Sequence, residues 1–547
     1  MIAADAIALM LQEYQTTHFF YVPVLSPPAI KGMLARGIQP VVAHSERAAA
    51  YMADGYARVS GRVGVCGSQA IGSSNLAAGL RDPWMGRSPV LALTGGSDSA
   101  TRGRNLYQDV DDRDAFRPVT KYQEVVDRGD RLADVIRQAF RMATTGTPRP
   151  VQVGLAGFWG AVTLEEVPDD VSVDARYGVV PALRTGADPL LVGRAAAVLA
   201  AAARPVILVG GGARHSDTAG VLRELLDRTG LPAVSTLNGM GLLADDHPSY
   251  LGCAGDYGRD SANRALAESD CVLVLGSSLG SMSTKNWQLL QPTATVVQID
   301  VDAAEIGRNY PATVPLLGDV ALVLEQLSAQ PGKQIDAEWQ QRIRTLCSDW
   351  ETYAGESERS SDEPVRPEAL VHRLSQVLPR DAVVVGDTGH AGAWCARHLR
   401  LGEDHTFVRA AGSLGWGLPA AIGAQCAAPD RPVVCFTGDG GLYYHLTELE
   451  TAVRYDLPIV VVVNNNTGMN QEKFLWEAGT EEDKNWKFSD VDLVTVAEGM
   501  GCVAERVDRV DDIEPALARA VASGRPALLD VRTDPDIACP PSWAPTP

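Results

Sequence analysis

The chain has 547 residues and a mass of 58.2 kDa; that is longer than one hydrophobic core grows, and at roughly 150 residues per domain it divides into about three or four domains. Hydrophobic residues make up 46% and charged residues 21%, with 10 Trp, so there is apolar material for large cores and no compositional case for disorder. The 48 basic and 68 acidic residues leave a net charge of −20 without a Lys/Arg-rich run, which argues against nucleic acid as a partner.

The N-terminus, MIAADAIALMLQEYQ, has no basic leader and breaks its apolar run with acids. No stretch of about 18 apolar residues follows it, so neither export nor membrane insertion is expected. Nine cysteines at wide intervals form no Cys-x-x-Cys pair and no zinc-ligand spacing. They read as reduced, mostly buried thiols of a cytoplasmic protein.

Three α/β blocks follow in chain order. The first, residues 1–165, ends in the strand chemistry of TPRPVQVGLAGFWG and gives way to an acidic linker at about 163–185. The second, residues 185–330, opens on an Ala-rich helix, the strand RPVILVGGG, a helix and another strand, the alternation of a parallel sheet. A polar, partly helical stretch at about 330–365 leads to the third block, residues 365–547, with DAVVVGDTGHAG, RPVVCFTGDGG and RPALLDVRTD. The expected fold is α/β, with three doubly wound parallel-sheet domains. The shared rhythm reads as three copies of one architecture or as coincidence.

In the third block the strand VVCFT runs into Gly438-Asp439-Gly440-Gly441, then the helix LTELETAVRYD, then the strand PIVVVV ending in Asn464-Asn465-Asn466. Carboxylate and amide, 27 positions apart between 439 and 466, thus stand at the C-terminal ends of two parallel strands, where open α/β sheets bind ligands. A hard anionic oxygen, an amide carbonyl and glycines that let the backbone approach a phosphate suit a Mg²⁺-diphosphate. In the first block, VVAHSERAAAYMADGYARVSGRVGVC puts Glu46 after a strand and before an Ala-rich helix. Alone, it reads as an ordinary first-turn acid.

Together these segments resemble the thiamine diphosphate (ThDP)-dependent superfamily of acetolactate synthase, pyruvate oxidase and the 2-oxo acid decarboxylases. GSSNLAAGLRDPWMGRSPVLALTG, YQDVDDRDAFRPVTKY, TLNGMGLL and GSLGWGLPAAIGAQ extend the resemblance along the chain. It implies the order pyrimidine-binding, middle and diphosphate-binding domain. It makes Asp439, the Asn466 side chain and the Gly468 carbonyl the Mg²⁺ ligands, and sets Glu46 beside the aminopyrimidine, where its carboxyl supports the proton relay that activates the cofactor. Gly438, Gly440 and Gly441, with the turn Gly389-His390-Ala391, fall around the diphosphate, and Leu414 under the cofactor as an apolar wedge. Family members build active sites between two chains, so a homodimer or homotetramer is expected.

Substrate-side positions depart from any one branch. NNNTGMNQEKF resembles the decarboxylase pattern and puts Glu472, with Gln471 before it, near the substrate carboxylate; a buried carboxyl there would act as general acid and release an aldehyde. Yet the paired histidines of pyruvate decarboxylase have no counterpart, and Val24-Leu25 replace its Gly-Asp. Tyr107 and Gln108 instead match the aromatic-Gln pair of synthase-like members, with Gln108 approaching pyrimidine and substrate. The usual Gly-Pro-Gly is replaced around Gln69, giving with Val24 and Leu25 a pocket apolar on one wall. GSSLGSMSTKNW lacks the Arg of flavin-binding synthases, which argues against FAD. ADP or CoA is the alternative, since LETAVRYDLPIVVVVNNN also resembles the oxalyl-CoA decarboxylase and 2-hydroxyacyl-CoA lyase branch, although DPDIACPPSWAPTP is shorter than the usual lid of that branch. The expected function is decarboxylation of a small-molecule 2-oxo acid with carboligation or aldehyde release. The alternatives are a CoA-linked lyase or a catalytically dead relative.

Overall fold

Short Val/Ile/Leu runs with both faces covered pair side by side, as buried parallel strands do. The computed structural model describes all residues except 109, 169, 331–333, 477–484 and 546–547. The first sheet holds β1 (His18–Tyr21), β2 (Gln39–Val42), β3 (Gly64–Ser68), β4 (Val90–Gly96), β5 (Tyr122–Val126) and β6 (Val151–Ala156), in the order β2-β1-β3-β4-β6-β5. The second holds β7 (Pro205–Val209), β8 (Ala233–Ser235), β9 (Tyr250–Cys253), β10 (Cys271–Leu275), β11 (Thr295–Asp300) and β12 (Val314–Leu317), in the order β12-β11-β10-β7-β8-β9. The third holds β13 (Val383–Gly386), β14 (Thr406–Arg409), β15 (Val433–Gly438), β16 (Val460–Asn465), β17 (Val503–Val507) and β18 (Ala527–Arg532), in the order β14-β13-β15-β16-β18-β17.

Every strand pairing is parallel. Counted from its own first strand, the first sheet reads 2-1-3-4-6-5 and so does the third, whereas the middle sheet reads 3-2-1-4-5-6 from its β9 edge. The repeat left open by the sequence is therefore two copies of one architecture around a Rossmann-ordered sheet.

Helix Glu46–Ser60 starts under Ser45, whose Oγ accepts the Ala48 N–H at 3.1 Å, and stops at Gly61 with φ 68°. Its alanine-rich face crosses helix Gly417–Ala427 of the third block. The crossing is tight: a Cβ on Gly55 would lie 2.2 Å from the Ala420 carbonyl oxygen, and one on Gly423 1.8 Å from that of Met52. Around it a single apolar cluster joins Phe20, Val41 and Cys66 beneath the first sheet to Val385, Trp416 and Val463 of the third block.

Both linkers are docked. The acidic stretch is pinned to the first block by the bridges Ile2–Glu166 and Arg62–Val179. The second contains helix Ala337–Glu358, whose Trp339, Ile343 and Leu346 join the core under the middle sheet. All nine cysteines are free, seven of them buried. Among the described residues no helix is long and apolar enough to cross a membrane.

Candidate active site

Strand periodicity sorts the three asparagines at the end of β16. Asn465 points away, its Nδ2 donating to Asp530 Oδ1 at 2.6 Å. Asn464 and Asn466 face the other way into a cavity of about 310 Å³, and the side-chain oxygen of each is buried without a hydrogen-bond partner among the described residues. Next to them, at the end of β15, Asp439 begins a short helix and is 2% exposed. Its Oδ2 accepts the Gly468 N–H at 2.8 Å. Burial pushes its carboxyl up to about 7, and among the described residues no cation pairs with it.

The same cavity is lined by Gly389, His390, Ala391, Leu414, Gly438, Gly440, Gly441, Gly468, Gln471 and Glu472. The structure thus brings together all the diphosphate-side residues singled out from the sequence. Helix His390–His398 begins at this wall after Gly389, which has φ 68°, and a helix N-terminus favours negative charge. Burial pushes the His390 imidazole down to about 4, keeping it neutral, and its Nδ1 has no partner among the described residues. Glu472 is on the rim of the cavity and exposed, in contrast to the buried acid expected there, because its helix, Asn470–Trp476, presents it to solvent while Lys473 turns inward to the Pro535 carbonyl at 3.1 Å.

The first-block residues form a separate group, and none of them lines this cavity. Glu46 is half-buried against Gly72, where a Cβ would come within 2.4 Å of its Oε1, and its Oε2 accepts from Asn75 Nδ2 at 3.3 Å. Gln69 caps the turn that carries Gly72, its carbonyl accepting the Gly72 N–H at 3.1 Å. Tyr107 is 72% exposed and meets Phe158 edge-on at 5.9 Å. Gln108 has φ 59° and a buried Oε1 without a partner among the described residues. Val24 is 46% exposed. Leu25, expected beside it on a pocket wall, is instead a core residue, 3% exposed among Phe19, Leu93 and Leu155. Both lie in the loop between β1 and the helix that starts at Pro27, and the loop turns the Leu25 side chain into the apolar core while Val24 faces out.

Three family models match the chain in sequence: thiamine pyrophosphate enzyme, N-terminal TPP binding domain, over residues 1–116; central domain, over 192–327; and C-terminal TPP binding domain, over 387–531. The chain is 33% identical over 517 residues to the probable acetolactate synthase large subunit of Methanocaldococcus jannaschii, covering 91% of this chain and 86% of that one. It is 31% identical to the isozyme 2 large subunit of Escherichia coli, covering 93% and 91%, and 31% identical to the acetolactate synthase of Mycobacterium bovis, covering 91% and 82%. The chain belongs to this thiamine diphosphate enzyme family. It is a ThDP-dependent enzyme of lyase or transferase type.

Several residues of this ThDP enzyme's cavity escaped the sequence reading. Asn464 carried a readable signal, since the period-two alternation that admits Asn466 admits it as well. Thr388 and Met469 adjoin residues already singled out, whereas Tyr257 arrives from the middle domain, with no local signal. A second cavity of about 510 Å³ opens where the middle sheet reverses its strand order, between the glycine turns after β7 and β10. Gly211, Gly212, Gly276, Ser278 and Asp300 line it from the middle domain, Trp84, Arg87 and Arg149 from the first, and Arg409 from the third.

Proposed function

We propose that the cavity beside β15 and β16 holds the diphosphate end of ThDP through Mg²⁺, and that the enzyme decarboxylates a 2-oxo acid in the cytoplasm and joins the product to a second carbonyl compound. The observation that supports this reading is the juxtaposition of a buried Asp439 and the side-chain oxygen of Asn466, the first without a cation and the second without a hydrogen-bond partner among the described residues. With the Gly468 carbonyl these are three hard oxygen donors, the set Mg²⁺ takes. When bound, ThDP supplies the electron sink that stabilises charge after CO₂ leaves. The chain's own residues do the rest. The helix starting at His390 and the Gly438–Gly441 turn would cradle phosphate oxygens with backbone N–H groups, and neutral His390 would present its free Nδ1 without adding charge. Glu46 would hold a proton at the pyrimidine ring.

Glu46 and the cavity belong to different domains, with no first-block residue in the cavity wall. The first domain also exposes Val24, Ile71, Leu106, Tyr107 and Val110. Both features support a site completed by a second copy, with Glu46 of one protomer serving the cofactor of the other, in a homodimer or a pair of them. We take the domains as residues 1–165, 185–330 and 365–547.

Ligation is favoured over aldehyde release because the relatives that the chain matches over most of its length are acetolactate synthases. The test is to offer purified enzyme, ThDP and Mg²⁺ a panel of 2-oxo acids, with and without aldehyde, and to identify products by NMR. A 2-hydroxy ketone or 2-hydroxy-2-methyl-3-oxo acid supports ligation; free aldehyde as sole product overturns it. Glu46→Gln removes the proton-holding carboxyl while keeping shape, so turnover should fall at least about 100-fold, the scale of general acid–base catalysis, with an unchanged circular dichroism spectrum. Full activity in that variant would sink the assignment.

The second cavity supports one further reading, a nucleotide-bearing ligand such as ADP or the ADP end of CoA seated at the middle domain's glycine turns. Calorimetric titration with ADP, CoA and FAD decides it. Heat with CoA and turnover of an acyl-CoA would move the enzyme to the CoA-linked branch.

A further inference from the structure

We propose that Asp82 and Asp387 are positioning residues: from two different domains they grip the loop of residues 409–417 on either side of Leu414, so that this one side chain stands on an immobile backbone under the cofactor. The inference rests on the reading of the cavity given above.

The loop reads Arg-Ala-Ala-Gly-Ser-Leu-Gly-Trp-Gly, a glycine-rich stretch that would be pliant if left alone. It is held almost atom by atom. Asp82, fully buried in helix Arg81–Gly86 of the first domain, accepts three consecutive backbone N–H groups: Ala411 at 2.9 Å, Gly412 at 3.1 Å and Ser413 at 2.9 Å. Asp387, 1% exposed at the end of β13, accepts the N–H groups of Gly415 and Gly417, each at 3.2 Å. The Gly415 carbonyl accepts from His445 Nδ1 at 2.8 Å, and the Arg409 carbonyl from Arg58 at 2.6 Å. Arg58 also pairs with Asp82 at 2.9 Å and Asp54 at 2.6 Å, and Asp54 takes the Trp416 indole N–H at 2.9 Å.

Between the two grips Leu414 is half-buried, and its side chain lines the cavity. An apolar wedge that keeps a flexible cofactor bent must resist recoil, and a leucine on a loose glycine loop would yield instead. Fixing the backbone beforehand removes the ordering cost from the binding step. Asp387 does one thing more. Its Oδ1 also accepts the N–H of Thr388 at 2.8 Å, the residue before Gly389-His390-Ala391, so one carboxylate ties the wedge to the diphosphate turn.

The test compares full-length wild type, Asp82→Asn, Leu414→Ala and the double variant, with His445→Gln as a milder release of the same loop that leaves the buried charge network intact. Amide hydrogen exchange of the cofactor-free protein reads the grip itself. Asp82→Asn should raise exchange over 411–413 at least tenfold, and His445→Gln should raise it around 415. Proton exchange at C2 of bound ThDP, followed by NMR, reads the consequence: at least tenfold slowing in Asp82→Asn, with ThDP affinity changed less than threefold, and no further slowing when Leu414→Ala is already present. A loosened loop with wild-type C2 exchange in both Asp82→Asn and His445→Gln overturns the proposal, as does slowing that simply multiplies in the double variant. Wild type that takes up no ThDP removes the cofactor reading, and the proposal with it. Wild type that binds ThDP while the variants match it removes the proposal alone.

Discussion

Asparagines 464, 465 and 466 are chemically identical and do different work because a strand turns alternate side chains to opposite faces. Asn465 is the structural member, bonded to the buried carboxylate of Asp530 at 2.6 Å. Replacing it with Ala leaves that carboxylate short of a donor, which should cost about 1–3 kcal/mol of stability in a denaturant melt, with little change in cofactor affinity. Asn464→Ala and Asn466→Ala remove oxygens that have no partner among the described residues. They should weaken Mg²⁺-dependent ThDP binding at least tenfold by calorimetry while shifting the melt less than Asn465→Ala does, since neither breaks a hydrogen bond to a buried carboxylate. The reverse pattern would mean that the strand's faces are assigned the wrong way round. At this scale the sequence was informative where a motif and a periodicity coincided, as at Asp439 and Asn466. It was uninformative at Leu25 and Glu472, where the direction of one side chain depends on packing from elsewhere in the chain.

Among elements, the crossing of helices Glu46–Ser60 and Gly417–Ala427 sets how the outer two domains meet. An alanine-rich helix was legible after Glu46, but small residues name no partner, and nothing local pairs residue 55 with residue 420. Gly423 is the tightest point, since an added Cβ would sit 1.8 Å from a backbone carbonyl oxygen that cannot rotate away. Gly423→Ala should therefore destabilise at or above the upper end of the ~1–3 kcal/mol typical of overpacking. Gly193 lies inside helix Pro189–Ala201 with nothing within 4 Å of an added Cβ, and Gly193→Ala should stabilise by about 0.5–1 kcal/mol. Equal effects in paired thermal melts would show that helix propensity, not the close approach, governs both. Strand order was beyond the sequence for a related reason: the three blocks share one local rhythm, and only long-range pairing separates the outer topology from the middle one.

Across the whole molecule, buried imidazoles shape the response to acid. His445 is 5% exposed, and its pKa is pushed down to about 4, chiefly by burial, with the Arg47 charge adding to the shift and the Gly415 carbonyl opposing it. A histidine whose folded pKa lies below its unfolded value of 6.5 binds fewer protons when folded. Its contribution is complete above pH 6.5 and is lost as pH falls toward 4. Relative to His445→Gln, wild type should lose on the order of 2–3 kcal/mol between pH 7 and pH 4, read as a pH-dependent gap between the two melting curves. A gap that stays constant with pH would mean that His445 is already accessible to protons. Domain number, parallel sheets and the cofactor end of the site were all readable along the chain. Glu46 was singled out as well, through the resemblance, but its place relative to the cavity was not readable, because that depends on packing between blocks far apart in the sequence, and in the structure Glu46 does not line the cavity.

The apolar cluster shared by Phe20, Val41, Val385 and Trp416 sets a timetable for synthesis. Helix Glu46–Ser60 leaves the ribosome roughly 360 residues before the helix it packs on, a wait of about 20–70 s at ordinary elongation rates of about 5–20 residues per second. Through that interval the growing chain carries an uncovered alanine and aromatic face while the middle domain, which has cores of its own, folds in front of it. That face is covered only when the last third of the polypeptide has been made.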